Sequence, residues 1–214
     1  MTPDLAWEDE FNDWYDREHI PLRMAVPGFL SAQRYRVSGA PHYLVVYEMQ
    51  SATVLQSPAY RHVKNNPSER TAWMLRSVKG FSRYLGEPIC VRTQTAADAA
   101  MNAPILYAAC VEVPANRQPE FDDWYENDHV PLLLECKDWL MVRCFHITSG
   151  EPNSWTHLAL HYLTDARALQ SVERKRAQSS PPHARLAHES WFQDRRDLVF
   201  ERYGPRHIGN STDL

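Results

Sequence analysis

Two short segments carry the residue types of acid–base chemistry at one fixed spacing. Residues 10–22 read EFNDWYDREHIPL and residues 120–132 read EFDDWYENDHVPL, identical at eight of thirteen positions with an offset of 110. Each holds a carboxylate followed by an imidazole, Glu18-His19 and Asp128-His129. Imidazole titrates near neutrality, so such a pair at a helix end could act as general base and acid. On a helical wheel of about 100° per residue, Glu18 falls about 20° from Phe11 and His19 about 80° from it. That puts Glu18 on the apolar face, where a charge is costly unless paired, and His19 at its margin. Glu18, His19, Asp128 and His129 are therefore candidate catalytic residues. Trp14, Tyr15, Trp124 and Tyr125 on the same helices are candidates for orienting a substrate. A plainer reading stands beside this one. An imidazole in the last turn of a helix satisfies open carbonyls and suits the negative end of the dipole, and Glu18 can accept hydrogen bonds from the following loop.

A second set emerges where the two halves differ. Arg36 matches His146, Tyr43 matches His157 and Tyr47 matches His161. Arg34 and Arg36 with Tyr43 and Tyr47 would suit an anionic aromatic or carboxylate ligand. His146, His157 and His161 could instead hold a divalent metal or haem, or line a polar pocket. Residues four apart on a strand share a face, so His157 and His161 point the same way. Leu158, Leu160 and Tyr162 lie opposite, and we expect that aliphatic face to meet the helices. Cys144 and His146 would then join His157 and His161 inside a barrel. The bland alternative is that these side chains make ordinary hydrogen bonds at strand ends.

The elements that must position these residues repeat as well. After four extra residues the offset becomes 114, where Leu55-Gln56-Ser57 lies on Leu169-Gln170-Ser171 and Pro67 on Pro181. An apolar run at 105–113 predicts a buried strand. The motif helices follow, with Pro21 and Pro131 marking an end or bend. Strand pairs are predicted over 29–37 with 43–49 and over 139–147 with 155–163, joined by Gly-containing turns. Second helices near 51–64 and 164–178 lead to final strands near 81–85 and 198–203. The order is βαββαβ, a ferredoxin-like unit. The fold class is α+β: two tandem ferredoxin-like repeats forming a single-chain dimeric α/β-barrel. The first repeat spans 1–93, a linker 94–103, the second repeat 104–206 and a tail 207–214. The first repeat has no room for its first strand, so Ile89–Thr93 or a segment of a partner chain is expected along that edge. A homodimer stays open for this reason.

Composition narrows the partners. The chain has 214 residues, 43% hydrophobic and 23% charged, with a net charge of −4. That balance argues against nucleic acid or an anionic membrane and leaves a small molecule as the expected partner. The one basic stretch, Arg174-Lys175-Arg176, reads as a solvated helix face. No apolar run approaches a membrane span, Met1-Thr2-Pro3-Asp4 lacks the charged-then-apolar pattern of a secretory signal, and the four cysteines form no C-x-x-C pair. We expect a cytoplasmic protein with reduced thiols. Glycine-rich phosphate loops and nucleophile elbows are absent, so no nucleotide cofactor is expected.

The motif E-F-x-D-W-Y-x-x-[ED]-H-[IV]-P, with Val26-Pro27-Gly28-Phe29 after its first copy, resembles the dimeric α/β-barrel superfamily. Within it the sequence looks most like the EthD-like proteins, named for ethyl tert-butyl ether degradation. Lys137-Asp138 replaces Pro27-Gly28 in the second copy. The superfamily implies a fold and hosts unrelated chemistries, among them cofactor-free monooxygenases, lactone isomerases, polyketide cyclases and decarboxylases, haem-degrading enzymes and haem peroxidases. The expected function is a cofactor-independent lyase, isomerase or cyclase. It would do acid–base chemistry on a small aromatic or polyketide-like molecule, with His19 or His129 moving the proton. The rivals are a haem- or metal-binding oxidoreductase and a non-catalytic binding or assembly protein.

Overall fold

The computed structural model describes residues 1–209. Contacts divide the chain into two compact units. Unit 1 holds residues 1–81 and the C-terminal segment from Tyr203, and unit 2 holds Ser82–Arg202.

Unit 1 begins with helix α1 (Glu8–Trp14), which passes through a π turn (Tyr15–His19) into α2 (Ile20–Met24). Strands β1 (Phe29–Arg36) and β2 (Tyr43–Met49) form an antiparallel hairpin, followed by α3 (Pro58–Asn65) and α4 (Glu69–Ser77). Ser57 and Ser68 cap these last helices, each accepting from the backbone N–H three residues on. Phe11, Trp14, Tyr15, Ile20, Ala32 and Met74 form the core against the hairpin. Gly28 opens β1 at φ 96°, where a Cβ would meet Val54 Cγ2 at 2.5 Å. Asp138 stands at the matched position of unit 2 and needs no such conformation, since no non-glycine residue has positive φ among the described residues.

Unit 2 opens with β3 (Arg83–Thr93) and the short α5 (Ala97–Ala100), then β4 (Ile105–Val111). Helix α6 (Gln118–Trp124), a second π turn (Tyr125–His129) and α7 (Val130–Leu134) precede the long hairpin β5 (Trp139–Glu151) and β6 (His157–Leu163). Helices α8 (Val172–Gln178), α9 (Pro181–Leu186) and α10 (Ser190–Gln193) lead to β7 (Arg196–Ile208). The strand order in this unit is β7–β4–β6–β5–β3, antiparallel throughout. Strand β7 runs on covalently into unit 1, where its last residues neighbour β1. Val130, Leu133, Trp139, Val142 and Leu163 make one core cluster, and Phe121, Trp124, Leu186 and Phe192 another. No helix among the described residues is long and apolar enough to cross a membrane.

Three sequence expectations change here. Ile89–Thr93 does not fill the edge of the first repeat. It continues the strand that starts at Arg83, and both segments pair with β5. At the edge of β2, Met1 and Tyr43 instead exchange backbone hydrogen bonds of 2.9 and 2.8 Å. The tail expected at 207–214 continues β7 through Ile208, and 210–214 lie outside the described residues. The helical wheel also drifts. Ile20 N–H reaches back to the Tyr15 carbonyl, five residues away, and Val130 N–H does the same to Tyr125. Pro21 and Pro131 have no N–H to tighten the turn, so the helix widens there. The extra residue rotates everything beyond it. His19 is buried at 4% exposure, whereas Leu22, which a regular helix would bring to about 20° from Phe11, is 43% exposed.

Candidate active site

Unit 2 contains a cavity of about 300 Å³ between its motif helices and the sheet. Phe121, Trp124, Tyr125 and His129 line it from the helix side, and Cys144, His157 and His161 from the sheet side. The histidine face of β6 therefore meets the helices, the reverse of the expected orientation. The ring of His157 packs 5.1 Å from that of Phe121. Along the hairpin, His146 pairs with His157, Cys144 with Ala159 and Val142 with His161, so these positions share that face.

One hydrogen-bonded chain fixes the chemistry at the floor. The indole N–H of Trp139 donates to His161 Nδ1 at 3.1 Å. Indole can only donate, so Nδ1 carries a lone pair and the proton of the neutral ring lies on Nε2. His161 is 1% exposed, and burial, with His129 and Arg174 adding to it, holds its pKa well below the usual value. The Nε2–H thus donates to the Tyr125 hydroxyl 3.0 Å away. Tyr125 accepts there and keeps its own proton for the cavity. Burial keeps this phenol protonated, pushing its pKa well above 10.

The rest of the lining is aromatic and carries charge of both signs. His129 stacks on His183, with ring centroids 5.9 Å apart, and packs at a tilt against Trp124 at 4.9 Å. Burial, then His183, Arg174 and Arg195, pull the His129 pKa down to about 3. Arg174 reaches the lining with its guanidinium 5.5 Å from the Tyr107 ring. Only Lys175 and Arg176 of that basic stretch are exposed. Asp122 and Asp197 add carboxylates to the lining. Cys90 faces Cys144 across the β3–β5 pairing, and both thiols are reduced.

At one margin Asp122 meets two histidines. His146 Nε2 lies 2.8 Å from Asp122 Oδ2, and His157 Nε2 lies 3.1 Å from Oδ1. His161 is not part of this group, because both its ring nitrogens are engaged by Trp139 and Tyr125. The expected ligand set of His146, His157 and His161 is thus replaced by His146, His157 and Asp122.

Unit 1 holds the remaining candidates in closed arrangements. Arg34, 2% exposed, donates to Asp16 Oδ1 at 2.7 Å and Asn12 Oδ1 at 2.6 Å. Its guanidinium lies 4.6 Å from the Tyr15 ring and 4.9 Å from the Tyr203 ring. Arg36 pairs with Glu8 at 2.8 Å, and the Tyr43 hydroxyl donates to Glu8 at 2.6 Å. Trp14 Nε1 donates to Thr71 Oγ1, and Thr71 and Ser68 donate to Glu18. Glu18 thereby braces the start of α4. His19 packs on Trp14 and Tyr15, with centroids 4.3 and 4.7 Å away, and its Nδ1 has no hydrogen-bond partner. Burial, then Arg23 and Arg34, hold it neutral. Tyr47 buries an unpartnered hydroxyl beside Phe29. In unit 2, Asp128 is exposed and does not reach His129, whose Nδ1 also lacks a partner.

No protein-family model matches the sequence, and no curated protein matches it. Solved structures do. An anthrone oxidase-like protein superposes with a TM-score of 0.71 at 9% identity, covering 100% of this chain and 93% of its own. A candidate monooxygenase from Fusobacterium nucleatum subsp. nucleatum ATCC 25586 gives 0.54 at 10% identity, covering 99% and 89%. Another, from Lactobacillus acidophilus NCFM, gives 0.53 at 9%, covering 91% and 88%. At such identities the likeness is of fold, and it agrees with a dimeric α/β-barrel architecture. It also corrects the functional expectation. These neighbours are named for oxidation, and none is named for a lyase, isomerase or cyclase. His19 and His129 are held neutral by burial, and neither meets a carboxylate.

Proposed function

We propose that this protein is an oxidase or monooxygenase acting on a small planar phenol in the cavity of unit 2. The Tyr125 hydroxyl carries the reading: Trp139 and His161 orient it as a hydrogen-bond donor into an aromatic-lined space. That space is of ligand size, at the lower end of the usual range. A phenolic or keto oxygen would accept from Tyr125, and Phe121, Trp124 and Tyr107 would hold the ring plane. Arg174 would favour the anionic form of the substrate, the form that gives electrons to dioxygen. With an anthrone, the class named for one structural neighbour, the ring methylene becomes a carbonyl. One oxygen atom of O2 enters the product, the other leaves as water with the two methylene hydrogens, and four electrons pass to oxygen. We further propose that the sequence halves, 1–93 and 104–206, arose by duplication of an EthD-like unit, and that only the second copy works as a site.

The test is oxygen uptake and product analysis with anthrone and simple naphthols as probes. Uptake matched to carbonyl product, lost in Tyr125→Phe and absent without oxygen, is the expected result. Ligand binding without turnover of any probe would favour a binding protein instead. Conversion that proceeds equally well under nitrogen would rule out the oxidative reading.

A further inference from the structure

We propose that Asp122, His146 and His157 form a binding site for one divalent first-row transition-metal ion. Three different elements deliver the ligands: Asp122 from α6, His146 from β5, and His157 from the directly opposite position on β6. All three ligand atoms lie within 4.8 Å of one another. Two ligand atoms about 2.1 Å from one ion, at a right angle, stand about 3.0 Å apart. The two closest approaches, 2.8 Å from His146 to Oδ2 and 3.1 Å from His157 to Oδ1, are near that separation, one to each oxygen of the Asp122 carboxylate.

The protonation pattern is the second observation. Thr156 Oγ1 lies 2.8 Å from His157 Nδ1, accepts from Val113 N–H at 2.8 Å and donates to the Val111 carbonyl at 3.3 Å. The site requires that proton to stay on the carbonyl, so that the hydroxyl accepts from Nδ1–H. The Nε2 lone pair of His157 then faces Asp122 Oδ1. Both atoms are buried, and neither has an aligned hydrogen-bond partner. Two lone pairs at 3.1 Å repel each other unless a cation is shared between them. A second-sphere hydrogen bond to the distal imidazole nitrogen is also how a metal-binding histidine is oriented. His146, with a side chain 39% exposed, gives the ion a route from solvent.

The donor set defines the ion. Two imidazoles and one carboxylate suit iron(II), cobalt(II) or zinc(II) better than calcium or magnesium, which prefer all-oxygen shells. The matched positions of unit 1 are Asn12, Arg36 and Tyr43, which cannot form the same site. Because Asp122 and His157 also line the cavity, the ion would sit at its margin. The site does not depend on the oxidative reading, and its test needs no substrate.

Chelator-treated full-length protein is titrated with cobalt(II) and with zinc(II). The expected result is one equivalent bound per chain, with a visible cobalt spectrum, displacement of cobalt by zinc and a higher melting temperature. His146→Ala changes a partly exposed residue and should leave the fold intact while weakening binding at least 100-fold. Asp122→Asn should weaken it similarly, and His188→Ala should leave it unchanged. Absence of stoichiometric binding to the folded wild type would overturn the proposal. So would binding that survives His146→Ala, which would place the ion elsewhere, for example on Cys90 and Cys144. A metal-binding protein without oxidase activity would uphold this site and reject the proposed function.

Discussion

Positions 34 and 144 occupy the same place in the two sequence halves, yet they have opposite consequences. Arg34 extends a guanidinium into the middle of unit 1, where two oxygen acceptors and the rings of Phe11, Tyr15, Tyr43 and Tyr203 surround it. Cys144 is far shorter, and a cavity lies beside it in unit 2. The neighbouring differences point the same way. Tyr43 is bound to Glu8 and Asn12, whereas His157 and Tyr125 border open space. Similar helices and strands therefore build a filled core in one half and a pocket in the other.

Breaking the filled side should have the largest effect. Arg34→Ala strips Asp16 and Asn12 of their donor and removes a stacked cation from four rings. Asp16, with a side chain 44% exposed, keeps its water, so the loss comes from the packing and hydrogen bonds of the buried Arg34 side chain. About 2–5 kcal/mol is expected, the range for truncating a large buried side chain, measured by urea unfolding. A loss under 1 kcal/mol would mean that Arg34 is not what holds unit 1 together.

Filling the open side comes next. Cys144→Phe should remove ligand binding and turnover while costing about 1–3 kcal/mol, the usual penalty for an added side chain. Calorimetry with a bound planar ligand checks the first part and thermal unfolding the second. Retained binding would place the ligand elsewhere.

Smaller effects sharpen the comparison. Trp139→Phe removes the donor that fixes the His161 tautomer. It should lower kcat about tenfold, roughly 1.4 kcal/mol, with KM nearly unchanged, because the ring can then turn its proton away from Tyr125. A change in KM alone would show that Trp139 only shapes the pocket. For pH, His129 has a folded pKa of about 3 against an ordinary 6.5. The unfolded chain takes up this proton first, so the associated stability is complete above pH 6.5 and is lost as pH falls towards 3. The limiting slope is about 1.4 kcal/mol per pH unit for one such group. His129→Gln should flatten the acid limb of a stability–pH curve, and an unchanged limb would assign it to other groups.

Much of this was legible in the residues, though not its arrangement. The strand hairpins and the motif helices fall close to their predicted spans because alternation and helical spacing are local. The π turns were hidden, since no wheel of fixed pitch registers the residue that Pro21 or Pro131 frees. The histidine positions were found by contrasting the halves. The same contrast holds Asn12 against Asp122, which completes the His146–His157 cluster, but asparagine for aspartate looks conservative and carries no signal by itself. Trp139 read only as a strand residue, and its role depends on a hydrogen bond across the hairpin. The course of β3 also depended on long-range pairing. Arg83–Thr93 is as compatible with one sheet edge as another until β5 is in place.

The central claim is that Tyr125 works on a substrate while its counterpart Tyr15 does not. Oxygen-uptake kinetics of Tyr125→Phe beside Tyr15→Phe test it most directly. The account predicts a kcat at least 100-fold lower in Tyr125→Phe and near wild type in folded Tyr15→Phe. Full activity in Tyr125→Phe, or a loss confined to Tyr15→Phe, would contradict it.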